Sequence, residues 1–444
     1  EREVGDQVAH PVRSAMRSLA VVAALPAALA FGFSPSLTSP QRTASRSGVQ
    51  SVQAIANLLQ PPATSGRDDI GDVLPDCPNT IWNENDIDVD EWQAKYRAED
   101  DVTCPIEIVA SAEDNAEGTA YFERRREEFS EILAKHGTIW FRGFDLMKDP
   151  DGFRDFWETL QLDPCLDPIH SSGLRKFLSK RDAVYEEVNK QTLSKHYIGL
   201  HNEATHKKTA TTGAFVCFKP ATVSGGEFMI ADGEKIFRDM PADILRTLLD
   251  REVRISVSNL DLDVLGAAPG DSKEQLMEKV RGLVAEKVAP KFDMDLDMVW
   301  GTDGRAMRLQ AIENSQKPVN RHPKTGRPLW FCNVHNHARF LRDRRPCSVP
   351  EVGMTDVYFG DLSLIPGEML NEINRVCEEN IVRVPMQAGD VLLCDNYRVL
   401  HGRDIFEGDR LHAVSWFGEG SQLKADRDTG DVLNAFINKF VVGD

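Results

Sequence analysis

The segment that decides the fold is GDVLLCDNYRVLHGRDIFEGDR, residues 389–410. Its β-type run at 390–394 predicts a short strand, and a second β-type run follows at 412–417. A strand and a turn therefore deliver His401, and the later strand starts with Arg410. The segment places one imidazole and one guanidinium close to the ends of strands, where side chains can meet in a site.

About two hundred residues earlier stands His201-Asn202-Glu203. In an extended strand, side chains two residues apart point to the same side, so one metal ion can meet both His201 and Glu203. This is the only H-x-D/E motif in the chain, but eleven His and 70 acidic residues yield one or two such motifs by chance. The motif alone is therefore weak evidence for a metal site, and residues 389–410 make it specific.

Together, His201, Glu203 and His401 offer two imidazoles and one carboxylate. On one face of a metal ion this set leaves three adjacent positions open, an arrangement typical of non-haem iron oxygenases. A 2-oxo acid can chelate through two of these positions and oxygen can take the third, while Arg410 forks onto the distal carboxylate. A zinc hydrolase can draw ligands from the same residues, and iron-dependent oxygen uptake separates the two classes.

Other short β-type runs are separated by helical periodicity. Strands are predicted at 137–144, 212–218 and 329–334, and helices at 123–136, 237–250 and 272–287. We therefore expect a mainly β fold with helical insertions: a double-stranded β-helix (jelly roll) core flanked by α-helices.

The body of the chain resembles the taurine catabolism dioxygenase family, in its clavaminate synthase-like branch. The matching segments run in family order over roughly two thirds of the chain. They are Trp140-Phe-Arg-Gly-Phe144, Leu200-His-Asn-Glu203, Pro220-Ala221 with Gly225-Gly-Glu227 and Ala231-Asp232, His322-Pro-Lys-Thr-Gly326, Trp330-Phe331 with Asn333, and residues 389–410. The resemblance implies that His201, Glu203 and His401 bind Fe(II) and that Arg410 grips 2-oxoglutarate.

Phe228 departs from the family pattern. The family usually follows its Gly-Gly-acid step with a Thr that helps to hold 2-oxoglutarate, and here Phe228 stands in that place. Either a hydroxyl such as that of Thr222 or Ser224 substitutes, or Arg410 carries the carboxylate with less help. A different 2-oxo acid is the remaining alternative.

Several other polar residues near these motifs are candidates for the site. We expect Arg403 either to line the cofactor pocket or to brace the turn through an acid such as Asp404, and we expect Asn333 to face the co-substrate. The pair His335 and His337 forms a rival metal motif, which we interpret as pocket wall or structure because no carboxylate stands at a fixed spacing. We interpret His196 and His206 as groups around the site or at the surface.

Composition excludes several classes of function. The formal net charge of −18 opposes nucleic-acid binding, which requires a basic surface. The eight cysteines are scattered without a C-x-x-C pair, so we expect reduced thiols and no thiolate zinc site. The expected partners are a small-molecule substrate and molecular oxygen, with no membrane in the mature form, and a homo-oligomer is compatible with the sequence.

The first 71 residues read as leader sequence rather than fold. Residues 1–30 contain Met16 and Arg17, an apolar stretch and the small-residue step Ala28-Leu29-Ala30, the pattern of a signal peptide. Residues 31–71 are rich in Ser, Thr, Pro and Arg, the composition of a transit or disordered segment. We expect plastid import, with the secretory pathway or another organelle as the alternative. Residues 72–444 then form one oxygenase domain with a helical insertion around 261–289.

The expected activity is oxidation of a small amino-acid-like metabolite by an Fe(II)- and 2-oxoglutarate-dependent dioxygenase. Hydroxylation is the default outcome, and the reaction releases succinate and carbon dioxide. Desaturation or cyclisation would use the same residues, so the sequence leaves these outcomes open, together with the identity of the substrate.

Overall fold

The computed structural model describes residues 87–165, 185–186, 193–204, 209–261, 296–300, 308–348 and 355–418, and between them residues 272, 274–275, 277–279 and 281–282. Its α-helices are α1 (Val89–Ala98), α2 (Ala112–Glu117), α3 (Thr119–Arg124), α4 (Arg126–His136), α5 (Pro150–Thr159), α6 (Gly233–Asp239), α7 (Ala242–Arg251), α8 (Val334–His337), α9 (Arg339–Arg342) and α10 (Gly367–Asn380). A 3₁₀ helix spans Asp145–Lys148.

The strands alternate with these helices along the chain. They are β1 (Ile106–Val109), β2 (Thr138–Arg142), β3 (Pro164–Cys165), β4 (Tyr185–Glu186), β5 (Ile198–His201), β6 (Thr212–Lys219), β7 (Ser224–Gly225), β8 (Phe228–Asp232), β9 (Val253–Asp261), β10 (Leu296–Trp300), β11 (Arg308–Glu313), β12 (Val319–Arg321), β13 (Pro328–Trp330), β14 (Asp356–Phe359), β15 (Val382–Val384), β16 (Val391–Asp395), β17 (Val399–Arg403), β18 (Phe406–Glu407) and β19 (Leu411–Phe417).

Two sheets enclose the part of the core that carries the site. The larger sheet has the order β1-β2-β16-β6-β19-β3, with β4 also paired to β19, and the smaller has the order β15-β8-β17-β5. The pairings are antiparallel apart from β1 with β2. Apolar side chains from both sheets form one buried cluster between them: Phe215, Cys217, Leu392, Cys394, Val414 and Trp416 from the larger sheet, and Phe228, Ile230, Val384 and Val399 from the smaller.

Alternation along β19 separates this interior from the outer face of the larger sheet. Val414 and Trp416 point into the cluster between the sheets, whereas Ala413 and Phe417 belong to a second cluster on the outer face. Helices α3 to α5 cover that face with aromatic side chains, and Phe122 meets Phe141 of β2 edge to face at 5.7 Å. Each fully buried Phe contributes about 1.5–3 kcal/mol by leaving water.

The third cluster packs helices against the outer side of the smaller sheet. It joins α1, α6, α7 and α10 to Met229 and Leu400 of that sheet and to strands β9 and β14 of a separate sheet with the order β10-β11-β9-β14. Acidic side chains cap helices α1 and α5. Asp88 accepts from Glu91 N, and Asp149 accepts from Gly152 N at 2.9 Å in front of Pro150.

Most predicted elements appear with boundaries shifted by a few residues. The helix predicted at 123–136 corresponds to α4 and the end of α3, and Gly137 ends it with a left-handed φ of 72°. The predicted strand at 329–334 is wrong in its second half, because β13 ends at Trp330 and α8 begins at Val334. The single helix predicted at 237–250 is also wrong. The helix is interrupted at Met240, which is in extended conformation before Pro241, so α6 and α7 are separate helices.

Some predictions fall mainly or wholly on residues outside the described part. The leader, residues 1–71, lies outside it. Of the insertion at 261–289, residues 274–275, 277–279 and 281–282 are helical, in agreement with the helix predicted at 272–287. Cys104, Cys217, Cys332, Cys347, Cys377 and Cys394 are free thiols, as expected. A search of the described residues finds no helix with the length and hydropathy needed to cross a bilayer.

Candidate metal centre

Two neighbouring strands of the smaller sheet bring the predicted metal ligands together. His201 ends β5 and lies directly opposite His401 of β17 in the antiparallel register. Glu203 follows two residues later, and its side chain is buried, with 2% of its surface exposed. One ligand atom from each of these three residues lies within 4.8 Å of the others, and no other such group of three occurs among the described residues.

The donor set and its spacing fit a single divalent ion. Bonds from imidazole nitrogen and carboxylate oxygen to such ions measure about 2.0–2.2 Å, so the three residues are close enough for one ion to draw them in. With three protein ligands on one side, the opposite positions stay open for a chelating co-substrate and oxygen. The residues present therefore fit Fe(II).

A hydrogen bond selects the nitrogen that His201 offers to a metal. Its Nδ1 lies 2.9 Å from the carbonyl oxygen of Gly199, so Nδ1–H donates and Nε2 keeps the lone pair. Metal-binding histidines commonly have their rings fixed in this way. The local fold of β5 thus sets both the tautomer and the ring orientation.

Aromatic rings hold the second imidazole. The His401 ring lies 4.9 Å from Phe215, 5.6 Å from Trp416 and 6.1 Å from Phe228, and it is parallel to the last. These three residues belong to the buried cluster between the two sheets. They form an apolar wall behind His401 that restricts the ring and keeps water away from that side of the site.

Strand β5 is the edge of its sheet and pairs only with β17 among the described strands. On its other side, side chains from the segment around α8 replace a partner strand. Three side-chain atoms accept hydrogen bonds from backbone N–H groups in or directly after β5. Asn336 Oδ1 accepts from Gly199 N at 3.0 Å, His335 Nδ1 from Leu200 N at 2.8 Å, and Asn333 Oδ1 from Asn202 N at 2.9 Å. An unsatisfied buried amide costs about 1–3 kcal/mol, so these bonds fix the strand at the metal ligands.

Close backbone approach makes this arrangement specific to glycine at position 199. A Cβ there would lie 2.8 Å from the His335 carbonyl oxygen and 2.9 Å from Asn336 Cα. Only a residue without a side chain lets α8 lie directly against β5.

Asn396 holds the turn that carries Glu203. Its Oδ1 accepts from Glu203 N at 3.0 Å, and its Nδ2 donates to the Glu203 carbonyl oxygen at 3.1 Å. Asn202 adds a bond from its own Nδ2 to the Asn396 carbonyl oxygen at 2.8 Å. The residue between the two N-terminal ligands is thereby tied to the loop that leads into His401.

Sequence reasoning missed this set of supporting side chains. Asn333 was expected to face the co-substrate, but the structure shows its amide bonded to both the N–H and the carbonyl oxygen of Asn202. The contact with the co-substrate stays a prediction, and the observed contact supports the ligand strand.

We expect Asn333→Ala to weaken Fe(II) binding by about tenfold without unfolding the protein, since loss of groups that orient ligands costs 10–100-fold in metal affinity. Anaerobic calorimetric titration measures the constant. Asn380→Ala is the matched control, because that amide bonds only at the far end of α10, to Asp239 and the Val376 carbonyl. Equal metal affinity in both variants would show that β5 holds its geometry without Asn333.

Arg410 lies where a buried anion could meet it. Its side chain is 5% exposed. At Gly226, with φ 78°, a Cβ would lie 3.2 Å from Arg410 Cδ, so the side chain passes directly beneath the Gly225-Gly226 step. The structure thus connects two of the motifs that carry the family resemblance.

Arg403 braces the chain before β5. Its Nη2 donates to the carbonyl oxygens of Leu193 at 2.9 Å and His196 at 2.5 Å. Of the two predicted roles, bracing is the one observed, but the proposed partner was wrong: Asp404 instead accepts from Arg383 at 3.2 Å.

The other histidines have structural environments. Burial lowers the pKa of His335 to about 4, which keeps the ring neutral and leaves Nδ1 as the acceptor for Leu200 N. Burial lowers the pKa of His337 to about 3, and its Nδ1 lies 2.9 Å from Thr355 Oγ1. Burial and the neighbouring Arg403 lower the pKa of His196 to about 4. His206 lies outside the described residues.

The two hydroxyls suggested as substitutes for the missing Thr do not lie in the interior. Thr222 and Ser224 are exposed in the turn around β7. Thr222 Oγ1 accepts from Asp409 N at 2.9 Å. That alternative was wrong, because the turn projects outward before β8 enters the sheet.

Comparisons with known proteins agree with this geometry. The model of the taurine catabolism dioxygenase TauD, TfdA family matches residues 107–416. The chain is 23% identical to the dapdiamide synthesis protein DdaC of Enterobacter agglomerans over 331 residues, 70% of this chain and 90% of that protein. It is also 23% identical to a clavaminate synthase-like protein of Arabidopsis thaliana over 296 residues, 66% of this chain and 84% of the relative.

Among solved structures, the chain is similar to an asparagine oxygenase in complex with Fe(II), 2S,3S-3-hydroxyasparagine and succinate. The TM-score is 0.38 and the identity 13%, over 84% of this chain and 92% of that one.

Proposed function

Because the chain belongs to the taurine catabolism dioxygenase TauD, TfdA family, we propose that it hydroxylates a small amino-acid-like metabolite. It is a 2-oxoglutarate-dependent dioxygenase with Fe(II) and 2-oxoglutarate as cofactors. The observation that carries the proposal is the gathering of His201, Glu203 and His401 within 4.8 Å of one another. Taurine, which gives the family its name, is itself a small amino acid with an acidic group.

The proposed core is a double-stranded β-helix made of the two facing sheets. The support is the order of strands, in which β16, β6 and β19 of the larger sheet oppose β8 and β17 of the smaller across one buried cluster. The candidate ligands lie at one edge of the smaller sheet, and Arg410 directly precedes β19. In this proposal 2-oxoglutarate spans the space between the metal ligands and Arg410.

Each residue of the site has a defined task in this function. His201, Glu203 and His401 hold Fe(II), which when bound lets oxygen decarboxylate 2-oxoglutarate to succinate and carbon dioxide while one oxygen atom enters the substrate. Arg410 binds the distal carboxylate of 2-oxoglutarate through its planar fork. Phe215, Phe228 and Trp416 exclude water behind His401. Family membership favours this chemistry over a zinc hydrolase.

A screen of small molecules tests the substrate class. Purified protein with Fe(II), 2-oxoglutarate and ascorbate is offered single amino acids and amines, and succinate is quantified. We expect one of them to raise succinate release well above the uncoupled background. Stimulation only by molecules without an amino group would overturn the substrate class, and succinate release that does not depend on Fe(II) would overturn the oxygenase itself.

The carboxylate ligand also predicts the product. With Glu203 on the metal, three positions remain, and these are taken by the 2-oxo acid and oxygen, so chloride finds no place. We expect one heavy oxygen and no chlorine in product formed under labelled oxygen in chloride-rich buffer, as measured by mass spectrometry.

A chlorine isotope pattern in the product would show that Glu203 is not a metal ligand. Loss of two hydrogens without oxygen would replace hydroxylation by desaturation or cyclisation at the same centre.

A further inference from the structure

Phe228 leaves one contact to 2-oxoglutarate unassigned in the proposed function. Its side chain is 2% exposed and lies parallel to the His401 ring, so it belongs to the pocket wall yet offers no hydrogen-bond donor. Thr222 and Ser224 are exposed and do not replace the missing hydroxyl. A donor that replaces this hydroxyl would have to come from another strand.

The inward face of β19 presents such a donor. The register shift in its pairing with β6 lies between Leu411 and His412, so regular alternation holds from His412 onward. His412 therefore shares the face of Val414 and Trp416, which point into the cluster between the sheets. Its partner across the ladder is Cys217, a member of the same cluster, and His412 is only 3% exposed.

His412 also stands close to the guanidinium expected to hold the co-substrate. It follows Arg410 by two residues on the same segment. Burial lowers the pKa of His412 well below its ordinary value, and the positive charges of Arg410 and Arg403 add to this effect. The ring is therefore neutral at physiological pH, with one nitrogen donating and the other accepting.

We propose that His412 donates an N–H to the distal carboxylate of 2-oxoglutarate beside Arg410, in place of the hydroxyl that Phe228 lacks. This inference rests on the proposed function. A neutral imidazole supplies one donor, as a Thr hydroxyl does, and adds no charge to a pocket that already contains a buried guanidinium. It reaches the carboxylate from the larger sheet, whereas position 228 belongs to the smaller one.

The arrangement also explains how an aromatic ring can occupy position 228. Phe228 packs against Phe215 at 4.5 Å between ring centres and stacks over His401. The ring thus strengthens the apolar wall around the metal ligand. The hydrogen bond to the distal carboxylate then comes from His412 on β19, close to Arg410, which pairs with the charge of that carboxylate.

Binding of 2-oxo acids tests the proposal without turnover. Anaerobic protein loaded with Fe(II) is titrated with 2-oxoglutarate and, separately, with pyruvate, which chelates the metal but has no distal carboxylate. The charge-transfer absorption of the chelate reports binding. The variants are His412→Met, which keeps the size but loses the donor, and His412→Gln, which keeps an N–H donor. Ser415→Ala, on the outward face of β19, is the control.

We expect His412→Met to weaken the binding of 2-oxoglutarate by about tenfold or more, because one hydrogen bond to a charged group is lost. Pyruvate binding should stay unchanged, and His412→Gln should stay within about threefold of the wild type. Equal 2-oxoglutarate binding in wild type and His412→Met would overturn the proposal, as would equal losses for both acids. Absence of a 2-oxoglutarate band in the wild type would instead overturn the proposed function.

Phe228→Thr in the wild-type background keeps the proposal testable if His412 variants fail to fold. Since His412 already satisfies the carboxylate, we expect 2-oxoglutarate binding to gain less than about threefold. A gain of about tenfold or more would mean that the wild type simply lacks the contact, and His412 would lose its assignment.

Discussion

His401→Ala should abolish measurable Fe(II) binding and turnover while the protein stays folded. His401 is 6% exposed and its ring is enclosed by Phe215, Phe228 and Trp416, so no solvent molecule or neighbouring imidazole takes over its position easily. Groups that merely orient a ligand change metal affinity by 10–100-fold, so loss of the ligand itself should cost on the order of a hundredfold or more. Anaerobic metal titration and oxygen consumption measure both effects.

The control for this experiment is His136→Ala, a partly exposed histidine at the end of α4 whose Nδ1 lies 2.8 Å from the Thr103 carbonyl oxygen. We expect that variant to bind iron like the wild type. Full oxygen consumption by His401→Ala would show that His401 is not a ligand. His201→Ala should behave in the same way, because the two residues face each other in the ladder.

Arg410→Leu should raise the apparent constant for 2-oxoglutarate by about ten- to a hundredfold, the effect of losing about 1.5–3 kcal/mol of hydrogen bonding to a charged group. The guanidinium is 5% exposed and lies beneath the Gly225-Gly226 step. Leu fills similar space without offering a donor. Initial rates of succinate release at varied 2-oxoglutarate concentration measure the constant.

Arg375→Leu is the matched control, because Arg375 pairs with Glu372 and Glu379 on the exposed side of α10. An unchanged constant in Arg410→Leu would transfer recognition of the distal carboxylate to another residue. Arg410→Lys should fall between the wild type and Leu, since it keeps the charge but loses the planar fork.

The predictions that succeeded rest on short-range patterns. His201 and Glu203 are two residues apart, so strand geometry alone places them on one side. The order of polar and apolar residues at 389–410 predicted the strand that became β16 and the position of His401 after it. Pro241 marked a break that we overlooked when one helix was predicted across it. A pattern confined to neighbouring residues is therefore sufficient for several of the elements, whereas joining His401 to His201 and Glu203 required the second motif about two hundred residues away.

The supporting side chains depend on contacts that no local pattern contains. Asn396 reaches Glu203 across 193 residues, and Asn333 reaches Asn202 across 131. His335 appeared as half of a rival metal motif, although its Nδ1 is used by Leu200 N. The inward direction of His412 became clear only when the register of β19 with β6 was known. These roles arise from the pairing of distant segments.

The central claim is that one metal ion is bound by His201, Glu203 and His401 and that 2-oxoglutarate completes its coordination. A crystal structure with Mn(II) and an unreactive analogue of 2-oxoglutarate measures this most directly. We predict one ion with bonds of about 2.0–2.2 Å to the two imidazoles and the carboxylate, and with the distal carboxylate of the analogue against Arg410. An ion bound elsewhere, or an analogue that does not touch the ion, would contradict the account.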